Sequence, residues 1–149
     1  MPTVYTSSRV GTNIAGKYQE KGVFWDGVTY EAANASAIAS GDSIQMIKVP
    51  GASAPNGIIV LDVILSTDDL GTCTCDVGDG DDVDYLIDGL DTGAAAGAVA
   101  RRGSGVSLTA AAGFPKVYTT DDTIDITIAS SSANVVGTIR LDVLMVAAP

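Results

Sequence analysis

The sequence predicts an all-β domain, an antiparallel β-sandwich with a jelly roll as its expected form, preceded by an extended N-terminal arm. Short segments of alternating or β-branched residues recur along the chain, and clusters of Gly, Asp and Pro separate them. The pattern contains no convincing amphipathic helix. A chain of 149 residues is long enough to bury one core. We therefore predict an arm over residues 1–22 and one sandwich domain over residues 23–149.

The predicted arm differs from the rest of the chain in periodicity and in charge. It has little regular patterning and many small polar residues, so we expect it to be ordered only where something receives it. Arg9, Lys17 and Lys21 outnumber Glu20 by two, and the remaining residues therefore carry −12 while the whole chain carries −10. This contrast suggests that the basic arm of one copy complements the acidic body of another.

The first part of the sandwich is predicted as a hairpin followed by a strand. Residues 23–25 resemble a strand that enters a turn at Asp26-Gly27, and residues 28–31 return. Residues 32–40 form either a loop or a short strand. The strand that follows the hairpin covers residues 43–49, with Ile44, Met46 and Lys48 on one face, and Pro50 ends it.

The central segment gives the strongest strand prediction. Residues 58–65 are apolar and β-branched, with Leu61, Val63 and Leu65 on one face and Asp62 on the other. A turn over residues 68–71 leads to a returning strand over residues 72–77. We interpret these two strands as a hairpin.

The C-terminal half continues in the same way. Strands are predicted over residues 106–112, 116–119, 123–129 and 136–146, whereas residues 93–100 favour neither helix nor strand clearly. In the last strand the inward positions are Ile139, Leu141, Val143 and Met145. Residues 61–65 (LDVIL) also resemble residues 141–145 (LDVLM), which indicates strands that pair or that occupy related positions in the two halves.

An acidic stretch follows the central strands. It contains seven aspartates in sixteen residues, namely Asp76, Asp79, Asp81, Asp82, Asp84, Asp88 and Asp91. Clustered carboxylates are suited to Ca²⁺, but the spacing does not match an EF-hand, because Val83 occupies its fifth position. We therefore favour a solvated acidic turn with no bound ion, and Tyr85-Leu86-Ile87 is expected to pin it to the body. Its charges alternatively serve as an interface that sets register between subunits.

The sequence lacks the residues that several enzyme classes require. It has no histidine, which excludes Ser-His-Asp and Cys-His catalysis, and it has no glycine-rich phosphate loop. Cys73 and Cys75 lie two residues apart on a predicted strand, so we expect two buried thiols and no bridge between them. We predict that the protein is not an enzyme and that it needs no cofactor or metal.

Charge and hydropathy also limit the expected partners. An acidic body repels phosphate backbones, so direct nucleic-acid binding is not expected. No apolar run reaches the ~20 residues of a membrane-spanning helix, and the N-terminus lacks the apolar core of a secretion signal. We expect a soluble chain that does not contact membranes.

Five segments together resemble a known family. They are GDSIQMIKVP (41–50), GIIVLDVILSTDDLGT (57–72), TCDVGDGDDVDYLIDGLDTG (74–93), DDTIDITIAS (121–130) and GTIRLDVLMV (137–146). This pattern is similar to the head decoration, or cement, proteins that are encoded beside the major capsid protein of tailed bacteriophages.

The resemblance implies a β-sandwich on the outer capsid surface of the virion. It implies a homo-oligomer, either a dimer or a trimer, that bridges major capsid subunits and stabilises the shell. The alternative is a carbohydrate-binding or host-adhesion β-sandwich module of a phage fibre or tail. The candidate capsid contacts or oligomer contacts are Val4, Tyr5 and Arg9 in the arm, Trp25, which is otherwise a core residue, and Asp79, Asp81 and Asp82 in the acidic stretch.

Overall fold

The computed structural model describes residues 2–7, 22–33, 38–93, 97–105, 115–131 and 135–149. Within these ranges the chain forms strands β1 (Val4–Thr6), β2 (Phe24–Ala32), β3 (Ser43–Pro50), β4 (Ile58–Thr67), β5 (Cys73–Gly78), β6 (Ile87–Asp91), β7 (Ala98–Arg101), β8 (Lys116–Tyr118), β9 (Asp121–Ser131) and β10 (Gly137–Ala147). A short 3₁₀ turn, Gly51–Ser53, follows β3. In the described ranges, no helix is of a length and hydrophobicity that would let it cross a membrane.

The strands form the two layers of a β-sandwich, which confirms the predicted fold class. Sheet A has the order β1-β3-β9-β5-β6, and sheet B has the order β2-β10-β4-β7, with β8 paired to β4. Among the described strand pairs, β1 and β3 run parallel and the others run antiparallel. Each sheet interleaves strands from the two halves of the chain. This order is compatible with a jelly roll, which stays a prediction.

The core lies between the two sheets and is built from alternate residues of each strand. On β9 the residues Ile124, Ile126 and Ile128 are fully buried, as their alternation with Thr123, Asp125 and Thr127 predicts. On β10 the four predicted inward residues, Ile139, Leu141, Val143 and Met145, are also fully buried. Because strand residues two apart share a face, one face of each strand supplies the core and the other is left outside.

The two similar segments are direct neighbours in sheet B. Leu141 is opposite Leu65, and Val143 is opposite Val63, in the antiparallel pairing of β10 with β4. All four side chains are buried. The expectation that the two strands pair is therefore confirmed.

Two β-bulges change the faces that strict alternation predicts. On β4 the register shifts so that Leu144 is opposite Asp62 and Met145 is opposite Val60, which leaves Leu61 as the extra residue. Leu61 is consequently only half-buried. On β3 a similar shift at Met46 buries both Met46 and Ile47. The predicted faces of Leu61 and Lys48 were wrong, because a bulge inverts the alternation of faces beyond it.

Two predicted hairpins are wrong. The β4 and β5 strands lie in different sheets, so the turn at residues 68–71 is a crossing between layers. The predicted turn at Asp26-Gly27 lies inside the continuous strand β2. A Cβ atom on Gly27 would lie 2.1 Å from Oδ1 of Asp142, so this glycine marks the close approach of a neighbouring side chain.

The remaining predictions divide between described and undescribed residues. Cys73 and Cys75 are buried free thiols with their Sγ atoms 3.8 Å apart, which confirms the expected burial. The predicted strands over residues 116–119 and 123–129 correspond to β8 and β9, and β7 begins inside the ambiguous segment, at Ala98, and ends just after it, at Arg101. The whole predicted strand over residues 106–112 and most of the predicted arm, residues 1 and 8–21, lie outside the described residues.

Candidate assembly interface

The candidate residues occupy three separate places in the fold, namely the acidic loop between β5 and β6, the N-terminal strand β1, and the outward face of β2. We define the acidic loop as residues 79–84. Asp79 and Gly78 shape its first turn. The Oδ1 atom of Asp79 accepts hydrogen bonds from the backbone N–H groups of Asp81 (3.1 Å) and Asp82 (3.0 Å). A Cβ atom on Gly78 would lie 2.0 Å from the carbonyl oxygen of Asp82, so only glycine allows the loop to fold back this closely.

The second carboxylate oxygen of Asp79 fixes the loop to β8. It accepts hydrogen bonds from Nζ of Lys116 (2.6 Å) and from the hydroxyl of Tyr118 (2.9 Å). The Lys116 ammonium lies 5.0 Å from the ring centroid of Tyr118 and 5.9 Å from that of Tyr85, within the range of cation–π attraction. These contacts connect the acidic loop of one sheet to a strand of the other.

The electrostatics of this cluster favour its ionised form. Burial alone would disfavour the carboxylate, but the bonds from Lys116 and Tyr118 outweigh it and lower the pKa of Asp79. Burial likewise acts against the ammonium, but the hydrogen bond to Asp79 prevails and raises the pKa of Lys116. Burial and the Asp79 charge raise the pKa of Tyr118. The cluster is therefore a charged, hydrogen-bonded anchor at neutral pH.

This geometry corrects the interpretation of Asp79 as a contact residue. The Asp79 side chain is fully buried, so it anchors the loop and is not available to a partner. Asp81 and Asp82 are exposed, as an interface role requires, and they remain candidates. Leu86 and Ile87 are buried and Tyr85 is half-buried, which confirms that this apolar segment pins the loop.

The described residues do not form a metal centre. No group of three or more Asp, Glu or Cys side chains among them is arranged to hold an ion. The hydrogen bond and the charge of Asp84 raise the pKa of Asp82 in the same exposed turn. The arrangement fits a solvated acidic turn.

The start of the predicted arm is docked on sheet A. The carboxylate of Asp42 accepts hydrogen bonds from the backbone N–H of Thr3 (2.6 Å) and of Ala39 (3.0 Å), and Tyr5 donates to it at 3.4 Å. The backbone bonds lower the pKa of Asp42. Tyr5 also packs edge-to-face on Tyr30, with ring centroids 6.5 Å apart. Val4 is 60% exposed, and Arg9 lies outside the described residues.

The core interpretation of Trp25 is wrong. Its side chain is 46% exposed on the outward face of β2, because the neighbouring positions Asp26 and Val28 are the ones that point inward. The residue opposite Trp25 on β10 is Leu144, which also points outward. Trp25 therefore remains available for a contact outside the domain.

Three functional features were missing from the sequence interpretation. The anchor residues Lys116 and Tyr118 are 37 and 39 residues from Asp79, and no sequence pattern links them to it. Asp42 resembles an ordinary turn residue. The apolar outward positions of β10 did carry a signal, since Leu144 and Val146 alternate with the inward residues and leave this end of the strand apolar on both faces.

The fold is similar to that of chains in solved phage capsids. It matches a chain of the capsid of Ralstonia phage GP4 with a TM-score of 0.66, at 21% sequence identity and over 99% of both chains. A chain of the cyanophage Pam1 capsid asymmetric unit matches with a TM-score of 0.59, at 21% identity, over 85% of this chain and 84% of that chain. A chain of the acidic stable capsid structure of Helicobacter pylori bacteriophage KHP30 matches with a TM-score of 0.53, at 14% identity, over 83% and 86%.

No protein-family model and no curated protein matches the sequence. At identities of 14–21%, the similarity to the capsid chains establishes the fold alone.

Proposed function

We propose that this chain is a non-enzymatic structural protein of a tailed-phage virion. In this proposal it decorates the outer capsid surface as a homo-oligomer and stabilises the shell by bridging major capsid subunits. The observation that carries the proposal is the match over 99% of both chains with a chain of the Ralstonia phage GP4 capsid. A match over the full length of both chains means that the whole domain, and not a common substructure, has a counterpart in a capsid.

The shape and surface of the domain support a binding role. The acidic loop is held rigidly by a buried anchor while Asp81 and Asp82 stay exposed, so their charges are presented in a fixed position. Fixed rim charges improve register and partner choice more than affinity. Val4 and Trp25 offer exposed apolar area at two other places. Several small contacts of this kind suit a protein that binds many copies of a repeating surface.

Stabilisation by such a protein follows from mass action. A protein that binds the assembled shell and not the free subunit shifts the equilibrium toward the shell by RT ln(1 + [L]/Kd), which is about 2.7 kcal/mol per site at a hundredfold excess over Kd. Many weak sites on a closed shell add together. No catalytic group is needed for this mechanism.

Co-sedimentation with capsids tests the proposal. Shells of the same phage that lack this protein are mixed with the purified chain and pelleted through a density cushion. We expect saturable binding, with a fixed number of copies per major capsid subunit. The absence of binding at concentrations near 100 μM, where even weak sites fill, would overturn the proposal.

A variant that lacks residues 2–20 tests the role of the arm. The deletion also removes β1, so a second variant, Val4→Ser with Arg9→Ser, keeps the chain length and leaves the contacts of Asp42 with Thr3 and Tyr5 in place. We expect both variants to bind shells more weakly. Normal binding by both would remove the arm from the proposed contact.

The alternative is a carbohydrate-binding module of a phage fibre or tail. The exposure of Trp25 favours it, because sugar-binding surfaces use exposed aromatic rings. A glycan array separates the two functions. Glycan binding that is abolished in Trp25→Ala, together with no affinity for capsids, would replace the capsid proposal with this one.

A further inference from the structure

A row of apolar side chains crosses the outward face of sheet B. Trp25 on β2 is opposite Leu144 on β10, Val146 on β10 is opposite Ile59 on β4, and Ile59 is opposite Val117 on β8. Directly opposed residues of an antiparallel pair have Cβ atoms about 5 Å apart, so these side chains are contiguous across four strands. We call the five residues Trp25, Ile59, Val117, Leu144 and Val146 the apolar row.

The apolar row is accessible and is unusual for this molecule. Trp25 is 46% exposed and Val117 is 47% exposed, and the three residues between them are half-buried. The outward face of sheet A is polar by comparison, with Gln45, Thr123 and Thr127 at its centre. The outer face of an antiparallel sandwich is normally polar where it meets water. A contiguous apolar stripe on one of the two outer faces is therefore a candidate surface for binding a partner.

The charges beside the apolar row cancel one another. Arg140 binds Asp142 with two hydrogen bonds, from Nε (2.8 Å) and from Nη2. Both side chains lie over Gly27, where a Cβ atom would clash with them. Arg101 forms the second ion pair, with Asp62, which is opposite Leu144. Together these four residues carry no net charge, whereas the whole chain carries −10.

This neutrality decides which partner the face fits. Two copies of a chain with a charge of −10 repel each other, and a patch whose nearest charges are already paired, as Arg140 with Asp142 and Arg101 with Asp62, reduces that repulsion. A two-fold contact places the same patch against itself, so it requires a self-complementary surface. A row of apolar residues flanked by matched Arg–Asp pairs meets that requirement. A strongly basic partner would instead be attracted to the acidic loop and to sheet A.

We propose that the apolar row is the contact through which two copies of this chain associate. The inference deepens the homo-oligomer of the proposed function by naming its surface, and it concerns the protein alone in solution. Trp25 lies at the β2 end of the row, and tryptophan is one of the residues that most often contribute a large share of the affinity of an interface.

Tryptophan fluorescence gives a direct test, because Trp25 is the only tryptophan in the sequence. The emission maximum is followed while the protein is diluted from about 100 μM to about 0.1 μM, and sedimentation equilibrium gives the mass in parallel. We expect blue-shifted emission from the associated protein and a red shift as it dissociates. A constant emission maximum and a monomer mass over the whole range would overturn the proposal.

Two matched variants locate the contact. Val117 in the row and Val83 in the acidic loop are both 47% exposed, so Val117→Arg and Val83→Arg make the same change at equally accessible positions. We expect Val117→Arg to raise the dissociation constant at least tenfold while Val83→Arg leaves it within about twofold. Circular dichroism and thermal melting establish that both variants are folded.

Two other outcomes would contradict the proposal. An oligomer that persists unchanged in both Val117→Arg and Leu144→Arg does not use this face. A monomeric protein whose row variants lose capsid binding assigns the apolar row to a capsid subunit, which overturns the proposed self-contact while it supports the proposed function. A protein that dimerises through the apolar row but does not bind capsids supports the proposed self-contact and overturns the proposed function. The two proposals therefore fail in distinguishable ways.

Discussion

At the scale of single residues, the Asp79 carboxylate fixes the acidic loop to β8. It satisfies two backbone N–H groups of its own loop and two side chains of β8 at the same time. When one partner of a buried, charged hydrogen-bonded pair is removed, the remaining groups are buried without a partner. The resulting loss of stability is larger than the net contribution of the intact pair. The Asp79 side chain therefore holds the acidic loop in place together with the buried residues Leu86 and Ile87.

We predict that Asp79→Asn lowers the free energy of unfolding by about 2–3 kcal/mol at pH 7, because a neutral amide cannot compensate the Lys116 ammonium. The control Asp81→Asn removes an exposed carboxylate from the same loop and is expected to change stability by less than about 0.5 kcal/mol. Urea denaturation at pH 7 measures both. Equal effects of the two substitutions would contradict the anchoring role.

The difference in stability between the protein and Asp79→Asn depends on pH, because the folded state lowers the pKa of Asp79. The ionised carboxylate is favoured in the folded state, so its contribution is complete above the unfolded pKa of about 3.9. It is lost as pH falls through the lower folded pKa, because the carboxylate is then protonated in both states. We expect the stability curves of the protein and of Asp79→Asn to converge in that acidic range.

The pKa shift of Asp125 has the opposite sign to that of Asp79. One of its oxygens is buried without a hydrogen-bond partner among the described residues, and burial raises its pKa to about 6. The unfolded value is near 3.9, so this carboxyl group destabilises the fold progressively as pH rises from about 4 to 6 and fully above that range. We predict that Asp125→Asn stabilises the protein at pH 7 by about 1 kcal/mol after solvent screening, and that the gain vanishes below about pH 4. Thermal melts at both pH values measure it, and a loss of stability at pH 7 would contradict the prediction.

At the scale of elements, β1 is a weakly attached strand at the edge of sheet A. It has three residues and one strand neighbour, β3. The carboxylate of Asp42 accepts hydrogen bonds from the backbone N–H of Thr3 and the hydroxyl of Tyr5. A short strand at a sheet edge opens more readily than the central strands, since few contacts hold it. The start of the arm is therefore a segment whose docking a partner can influence.

We predict that Asp42→Ala increases the rate of amide hydrogen exchange in residues 2–7 by at least about tenfold, because the carboxylate that accepts hydrogen bonds from this segment is lost. The exchange of β9 should not change. Asp69→Ala is the control, since Asp69 also accepts a backbone N–H, from Gly71 at 2.9 Å, but in an exposed turn elsewhere. Unchanged exchange in residues 2–7 would show that Asp42 does not hold β1.

The elements also show how far the sequence determines this fold. The strict alternation of β9 and β10 predicts their cores correctly, because each buried residue is signalled by its own neighbours. The similarity between residues 61–65 and residues 141–145 correctly predicts the pairing of β4 with β10. The bulges at Leu61 and Met46 have no local signal, because a bulge is a property of two strands in register.

The connection from β4 to β5 shows a second limit. A short turn between two strand patterns looks the same whether the strands pair in one sheet or cross between sheets, and here they cross. Gly27 is ambiguous for a similar reason, because a glycine that makes room for Arg140 and Asp142 resembles a turn glycine in the sequence. The anchor of the acidic loop was not predictable, since it joins residues from opposite sheets.

At the scale of the whole molecule, the two outer faces of the sandwich have different characters. The outward face of sheet A is polar, and the outward face of sheet B carries the apolar row and two neutralised ion pairs. This asymmetry would allow one face to bind a second copy while the acidic loop, β1 and sheet A remain free for the proposed capsid partner. A decoration protein that bridges subunits needs at least two such surfaces.

The heat stability of the shell tests the central claim most directly. Capsids that lack this protein are heated with and without a saturating amount of the purified chain, and their disassembly is followed by scanning calorimetry and electron microscopy. We predict that the chain raises the disassembly temperature by several degrees and that the increase saturates when its sites on the shell are filled, as stabilisation through binding requires. A chain that binds at saturation but leaves the disassembly temperature unchanged, or that does not bind at all, would contradict the account.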